Sequence, residues 1–214
     1  MKMIKSFAII IILFFAIHNS YSSTFISATD RKILRSQLVQ NTDLERKEFA
    51  IKALSKLQDP AALPVLINEL CFPSYNQSAT HTHSGRLDSI RYKIAIALRH
   101  YKSDNMSKMQ SYFFSMRSVI ESDKVTSVVG ETAITAARWI KKWKDVYKKL
   151  FAVSILRRLM KINKFNLKLI NKLVISLKTI DSDHGYNLLS KMLSMGFSNK
   201  INNKIKQILD SRRR

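Results

Sequence analysis

Phe49-Ala50-Ile51-Lys52-Ala53-Leu54-Ser55-Lys56-Leu57-Gln58-Asp59-Pro60-Ala61-Ala62-Leu63-Pro64-Val65-Leu66-Ile67 decides the fold. Ala50, Ala53, Leu54 and Leu57 recur at three- and four-residue steps, the period of an amphipathic helix. Asp59-Pro60 ends that helix and opens the next, because proline is tolerated at the first helical position. Leu63, Leu66, Ile67 and Leu70 then form a second apolar stripe. A helical hairpin of this kind, spanning Leu44 to Leu70, cannot bury both of its apolar faces alone, so it calls for similar neighbours.

Those neighbours follow in the sequence. The pattern of Ala50, Ala53, Leu54 and Leu57 returns as Ile94, Ala97, Leu98 and Tyr101, as Ala133, Ala136, Ala137 and Ile140, and as Leu173, Ser176, Leu177 and Ile180. From Leu54 to Leu98, Ala137 and Leu177 the spacing is roughly 40 residues per helix pair. Alanines at these positions keep the helix face thin, so that adjacent helices approach closely. Second helices are expected at Met109, Tyr112, Phe113 and Met116, at Val146, Leu150, Val153 and Leu156, and at Tyr186, Leu189, Met192 and Leu193. Thr29-Asp30 offers an N-cap to a leading helix with Ile33, Leu34 and Leu38 on one face. A closing helix is expected from about Asn199 to Leu209, through Ile201, Ile205 and Ile208.

Ala50-Ile51-Lys52-Ala53-Leu54 followed by Asp59-Pro60-Ala61-Ala62-Leu63-Pro64-Val65-Leu66 resembles the HEAT-repeat consensus of armadillo-like solenoids. The resemblance is specific in the first unit and rests on periodicity in the others, over about residues 43 to 195. It implies an all-α fold, an α-solenoid of about four HEAT-like helical hairpins with capping helices. The expected organisation is a signal peptide over 1–22, a leading helix within 23–42 and the solenoid over 43–214. A non-repeating helical bundle is the competing arrangement, since both use the same period.

Residues 1 to 23 read as an export signal. Lys2 and Lys5 make a basic start, Phe7 to Ile17 is an apolar run of eleven, and His18 to Ser23 supplies small polar residues. Cleavage is expected after Ser22, with an uncleaved anchor as the alternative. The protein is therefore expected in the periplasm, the cell envelope or the extracellular space. The only cysteine, Cys71, excludes an internal disulfide and reads as a small apolar residue closing a helix. With 4 Gly and 3 Pro among 214 residues, turn formers are too few for a β-sandwich.

The net charge of +22 calls for an acidic partner or surface. From Ser23 to His100 there are eleven basic and seven acidic residues, whereas from Arg138 to Lys178 thirteen basic residues face only Asp145. The candidate binding residues are Lys141, Lys142, Lys144, Lys148, Lys149, Arg157, Arg158, Lys161, Lys164, Lys168 and Lys172. The steps 141, 144, 148 and 161, 164, 168, 172 place each set along one helix face. A second candidate is the long segment from Phe72 to Gly85, read as a loop that carries Tyr75, His81 and His83. The two histidines match no metal signature and read as solvated; no metal or other cofactor is expected.

Trp139 and Trp143, four apart, are read as sharing a helix face, Trp139 in the core and Trp143 open between core and ligand contact. With Asp145 they are the only residues comparable to the site of the HEAT-like alkylpurine DNA glycosylases, and the export signal argues against that role. None of the five histidines precedes a glutamate, so the His-Glu pairs of HEAT-like di-iron hydroxylases are missing. Gly-rich phosphate loops, His-Glu-x-x-His and Gly-x-Ser-x-Gly are missing too. The sequence thus points to a non-catalytic scaffold for an acidic protein or envelope polymer. A peripheral protein on anionic lipids is the first alternative and a HEAT-type nucleic-acid enzyme resembling the alkylpurine DNA glycosylases the second; nucleic acid is not expected as its partner in vivo.

Overall fold

The structure of the protein, a computed structural model, describes residues 26–40, 43–72, 81–101 and 106–213. Among these it is all-helical, without a strand. The segment read as an export signal lies outside the described residues, among which no helix is long and apolar enough to cross a membrane. The helices are α1 (Ala28–Gln40), α2 (Leu44–Leu57), α3 (Leu63–Cys71), α4 (His81–Ala97) and α5 (Met106–Ser122). They continue with α6 (Thr126–Ile140), α7 (Asp145–Lys161), α8 (Leu167–Ile180), α9 (Asp183–Met192) and α10 (Asn199–Arg213). Short 3-10 turns at Pro60–Ala62 and Leu98–His100 adjoin α3 and α4.

Local chemistry sets the helix ends. The Asp43 side chain accepts hydrogen bonds from the Glu45 and Arg46 amides and starts α2. Gln58 closes α2 in the left-handed conformation, and Asp181 does the same for α8. Asp59 accepts from the Ala61 amide and from Arg35 Nη1 at 2.5 Å, so the Asp59-Pro60 corner is also tied to α1. The N-cap expected at Thr29-Asp30 is instead Ser27, whose hydroxyl accepts from the Asp30 amide while Asp30 accepts from the Ser27 amide. A reciprocal pair satisfies two backbone donors, which Thr29 alone cannot do.

The helices lie in two rows. One row packs α2 on α4, α4 on α6, α6 on α8 and α8 on α10; the other packs α1 on α3, α3 on α5, α5 on α7 and α7 on α9. Hydrogen bonds within the first row tie residues some 40 positions apart. Ser55 Oγ donates to the Ala97 carbonyl and Tyr101 Oη to that of Leu54. Likewise Thr135 Oγ1 donates to the Ala95 carbonyl at 2.6 Å and Trp139 Nε1 to that of Leu98 at 3.1 Å. C-terminal halves meet C-terminal halves in these bonds, and Gly130 meets Lys172 and Asn171 meets Lys204 near their N-termini, so α2, α4, α6, α8 and α10 run parallel.

The alanines and leucines of the repeat are buried between the rows: Ala50, Ala53 and Leu54, then Ile94 and Leu98, Ala133, Ala136 and Ala137, and Leu173 and Leu177. Lys47 is only 2% exposed and pairs with buried Glu69 at 3.5 Å, joining α2 to α3. One expected stripe is corrected. Val146 is exposed and Leu150, Val153 and Leu156 are half-buried, while Phe151, Ile155 and Leu159 face the core. The cause is polar: Ser154, on the Phe151 side, receives Arg117 Nε and donates to Glu121 of α5, and this fixes the rotation of α7.

Candidate polyanion-binding surface

The eleven basic residues singled out in the sequence do not form one surface. α6 ends at Ile140 and α7 begins at Asp145, so Lys141, Lys142 and Lys144 stand in a turn, and of the set from 141 to 149 only Lys148 and Lys149 are helical. α7 ends at Lys161 and α8 begins at Leu167, so the row 161, 164, 168, 172 crosses a break. The expectation of two continuous helix faces is therefore wrong, because side-chain spacing has meaning only while the helix is unbroken. The lysines fall instead into two clusters at opposite ends of α7, about 25 Å apart at 1.5 Å per residue.

Two of the eleven, Arg158 and Lys172, are held within the fold, and Arg157 is paired at its surface. Arg158 is buried, with Nη1 donating to the Asp123 carbonyl at 2.8 Å, and burial lowers its pKa. Arg157 pairs with Glu121 at 3.1 Å. Lys172 Nζ pairs with Glu131 at 2.7 Å and lies over the Tyr92 ring, and burial lowers its pKa. Arg99 binds the same Glu131 carboxylate, so α4, α6 and α8 share one ionic cluster. Gly130 makes room for it, since a Cβ there would lie 2.5 Å from Lys172 Cδ.

The two free clusters differ in their surroundings. Around Lys141, Lys142 and Lys144 the α6–α7 and α8–α9 turns bring acids: Asp145 bonds His184 at 2.7 Å, Asp183 pairs with Arg212, and Asp181 accepts from the Tyr186 hydroxyl. At the other end, Lys161, Lys164 and Lys168 are exposed and make no ion pair among the described residues. No Asp or Glu occurs from Val146 to Ile180 or from His184 to Leu209. The nearest acids at that end, Glu121 and Asp123, are occupied by Arg117, Arg157 and Arg91.

This end, whose acids Glu121 and Asp123 are already paired with arginines, is also where α10 joins. A groove of about 570 Å³ runs between the parallel helices α8 and α10, lined by Lys168, Asn171, Lys200, Lys204 and Gln207 among others. Lys204 Nζ donates to Asn171 Oδ1 at 2.6 Å, which holds one ammonium at the groove wall. Lys164 Nζ lies 3.4 Å from the point where a Cβ would stand on Gly196, in the α9–α10 turn. Five lysines from three segments thus share one edge. A comparable groove of about 610 Å³ between α2 and α4 has mixed charge, with Glu45 and Glu48 beside Lys52 and Lys93.

In the sequence Lys200 and Lys204 read only as part of the closing helix. Their signal was the acid-free run from His184 to Leu209. Phe165 was also missed; it stands 88% exposed in the α7–α8 turn, and Met160 is 74% exposed beside it. The break that exposes it is written in Asn163 and Asn166, whose side chains accept from the Phe165 and Leu169 amides.

The remaining candidates are placed as follows. Tyr75 lies outside the described residues. His81 and His83 belong to the first turn of α4, so the expected loop to Gly85 ends by residue 80, and their side chains lie outside the described set. Among the described residues no group of three His, Cys, Asp or Glu is placed to hold a metal. Cys71 is half-buried, and burial pushes its thiol up to about 11, which keeps it protonated and unreactive at neutral pH.

Trp139 is buried against Leu98. Trp143 is not on the same helix; it sits in the α6–α7 turn, edge-on to Phe113 and Tyr147. Asp145 points to solvent beside His184. These three residues do not converge on a pocket. Comparison with protein families, with curated proteins and with solved structures gives no match to this chain.

Proposed function

We propose that this chain is an exported, non-catalytic α-solenoid scaffold that holds a polyanionic partner at the edge formed by the α7–α8 and α9–α10 turns. The HEAT-like reading is supported by the two rows of parallel helices and by hydrogen bonds between residues about 40 positions apart. Export is supported by the basic start, the apolar run of eleven and the small polar residues before Ser23.

The observation that carries the binding reading is the sign of the charge at this edge. Lys161, Lys164, Lys168, Lys200 and Lys204 gather where the sequence supplies no acid of its own. Ordinary protein surfaces intersperse both signs, so an uncompensated group of this size attracts anions and steers them. The groove between α8 and α10 adds the amides of Asn171, Asn203 and Gln207, which hydrogen-bond to carboxylates, sulfates, phosphates and hydroxyls alike. The mechanism is non-covalent, with attraction at the edge and alignment along the groove. Binding to heparin as a soluble polyanion is therefore expected to weaken steeply from low to physiological salt, as screening shortens to a Debye length of about 8 Å. Isothermal titration across a salt series measures it, and an affinity indifferent to salt contradicts the proposal.

A further inference from the structure

We infer that the polyanion met by this edge is the surface of an anionic lipid bilayer, entered by the α7–α8 turn with Phe165 at its tip. The inference rests on the polyanion reading and adds to it the apolar residues that a purely ionic contact leaves unused. Phe165 is 88% exposed, Met160 is 74% exposed and Leu167 is also exposed, and Lys161, Lys164 and Lys168 alternate with them. Single exposed apolar side chains are common on proteins. Three within eight residues, interleaved with lysines at the corner between two helices, have the composition of an interfacial anchor.

Several backbone amides at the turn are already paired. The Phe165 amide donates to Asn163 Oδ1 at 2.9 Å, the Asn166 amide to the Asn163 carbonyl at 2.9 Å and the Leu167 amide to the Phe165 carbonyl at 2.8 Å. Asn166 Oδ1 takes the Leu169 amide at 3.1 Å. Donors that are already paired inside the turn lose little on leaving water, whereas unpaired ones oppose insertion strongly. Lysine stems are long enough to keep their ammonium groups at headgroup level while Phe165 enters the acyl boundary. Lys164 beside Gly196, and Lys200 and Lys204 in the α8–α10 groove, add positive charge from the neighbouring segments.

The geometry favours a bilayer over single-stranded nucleic acid. Base-stacking proteins line a groove with aromatic rings. Here the groove lining has none, and the exposed aromatic residue, Phe165, stands in the α7–α8 turn instead. Each lysine close to an anionic surface strengthens binding by about five-fold, and burial of the Phe165 ring multiplies this by at least about ten-fold.

The test is flotation of the full chain with vesicles of phosphatidylcholine alone and of phosphatidylcholine mixed with phosphatidylglycerol, with heparin binding measured in parallel. The expected result is binding to the mixed vesicles and little to the neutral ones. Phe165→Ser should lower vesicle binding by about ten-fold or more and leave heparin affinity unchanged. In Phe165→Trp, the added fluorescence should shift to the blue and be quenched by brominated lipid only with mixed vesicles. Phe165 touches no core residue that its replacement would disturb, and circular dichroism confirms that each variant is folded. Heparin binding without vesicle binding overturns the bilayer inference and leaves the polyanion reading standing, as does tighter binding to an acidic protein or RNA than to vesicles. Equal vesicle binding by wild type and Phe165→Ser overturns insertion. Failure to bind either heparin or vesicles removes both readings.

Discussion

Glu121 shows how single charges are used in this fold. It sits near the end of α5, where it accepts from Ser154 at 2.6 Å and from Arg157 at 3.1 Å and also pairs with Arg117. Burial raises its pKa, but the hydrogen bonds from Ser154 and Arg157 and the two guanidinium charges outweigh burial and hold it below the ordinary 4.5. A carboxyl lowered in the folded state stabilises the protein above its unfolded value, and that contribution is lost as pH falls through the folded value. Glu121→Gln is therefore expected to cost about 1 kcal/mol at neutral pH, where its side chain is mostly but not wholly shielded. Below about pH 4.5 the wild type should lose more stability than the variant, so the two urea midpoints converge. Parallel decline would show that Glu121 does not titrate in this way.

At the scale of the element, α8 and α9 meet over a glycine. A Cβ on Gly185 would stand 2.7 Å from the Leu177 carbonyl oxygen and 3.1 Å from Ile180 side-chain carbons. A backbone carbonyl inside a helix has nowhere to move, so overpacking of about 1–3 kcal/mol exceeds the helix-propensity gain of up to about 1 kcal/mol. Gly185→Ala should lower the thermal midpoint; a rise would mean that α9 is free to shift. Helices were legible in the sequence where a proline corner or an unbroken apolar period marked them. Asp59-Pro60 marked one corner, and the small residues at 50, 53, 133, 136 and 137 marked the buried faces. Two features were not legible. The rotation of α7 is set by Ser154 reaching Arg117 and Glu121, contacts made across 37 and 33 residues. The lysine steps 161, 164, 168 and 172 imitate a helix face across a break that Asn163 and Asn166 create.

At the scale of the whole molecule, parallel packing within each row has a consequence for charge. It sends the α7–α8 and α9–α10 turns to one edge and the α6–α7 and α8–α9 turns to the other. The sequence shows the basic excess of the later units but not its division, because division depends on which helix end each lysine occupies. One edge keeps Asp145, Asp181 and Asp183 among its lysines, while the other gathers five lysines around a groove and an exposed phenylalanine. Placement therefore matters more to the account than total charge. The most direct test compares two variants with the same change in net charge, by titration with heparin at low salt. One replaces Lys161, Lys164, Lys168, Lys200 and Lys204 with Gln; the other replaces Lys141, Lys142, Lys144, Lys148 and Lys149. The first is expected to lose affinity by about a thousand-fold and the second by less than about ten-fold, since only lysines at the contact strengthen binding appreciably. Equal losses, or a larger loss in the second variant, would contradict the assignment of binding to the α7–α8 and α9–α10 edge.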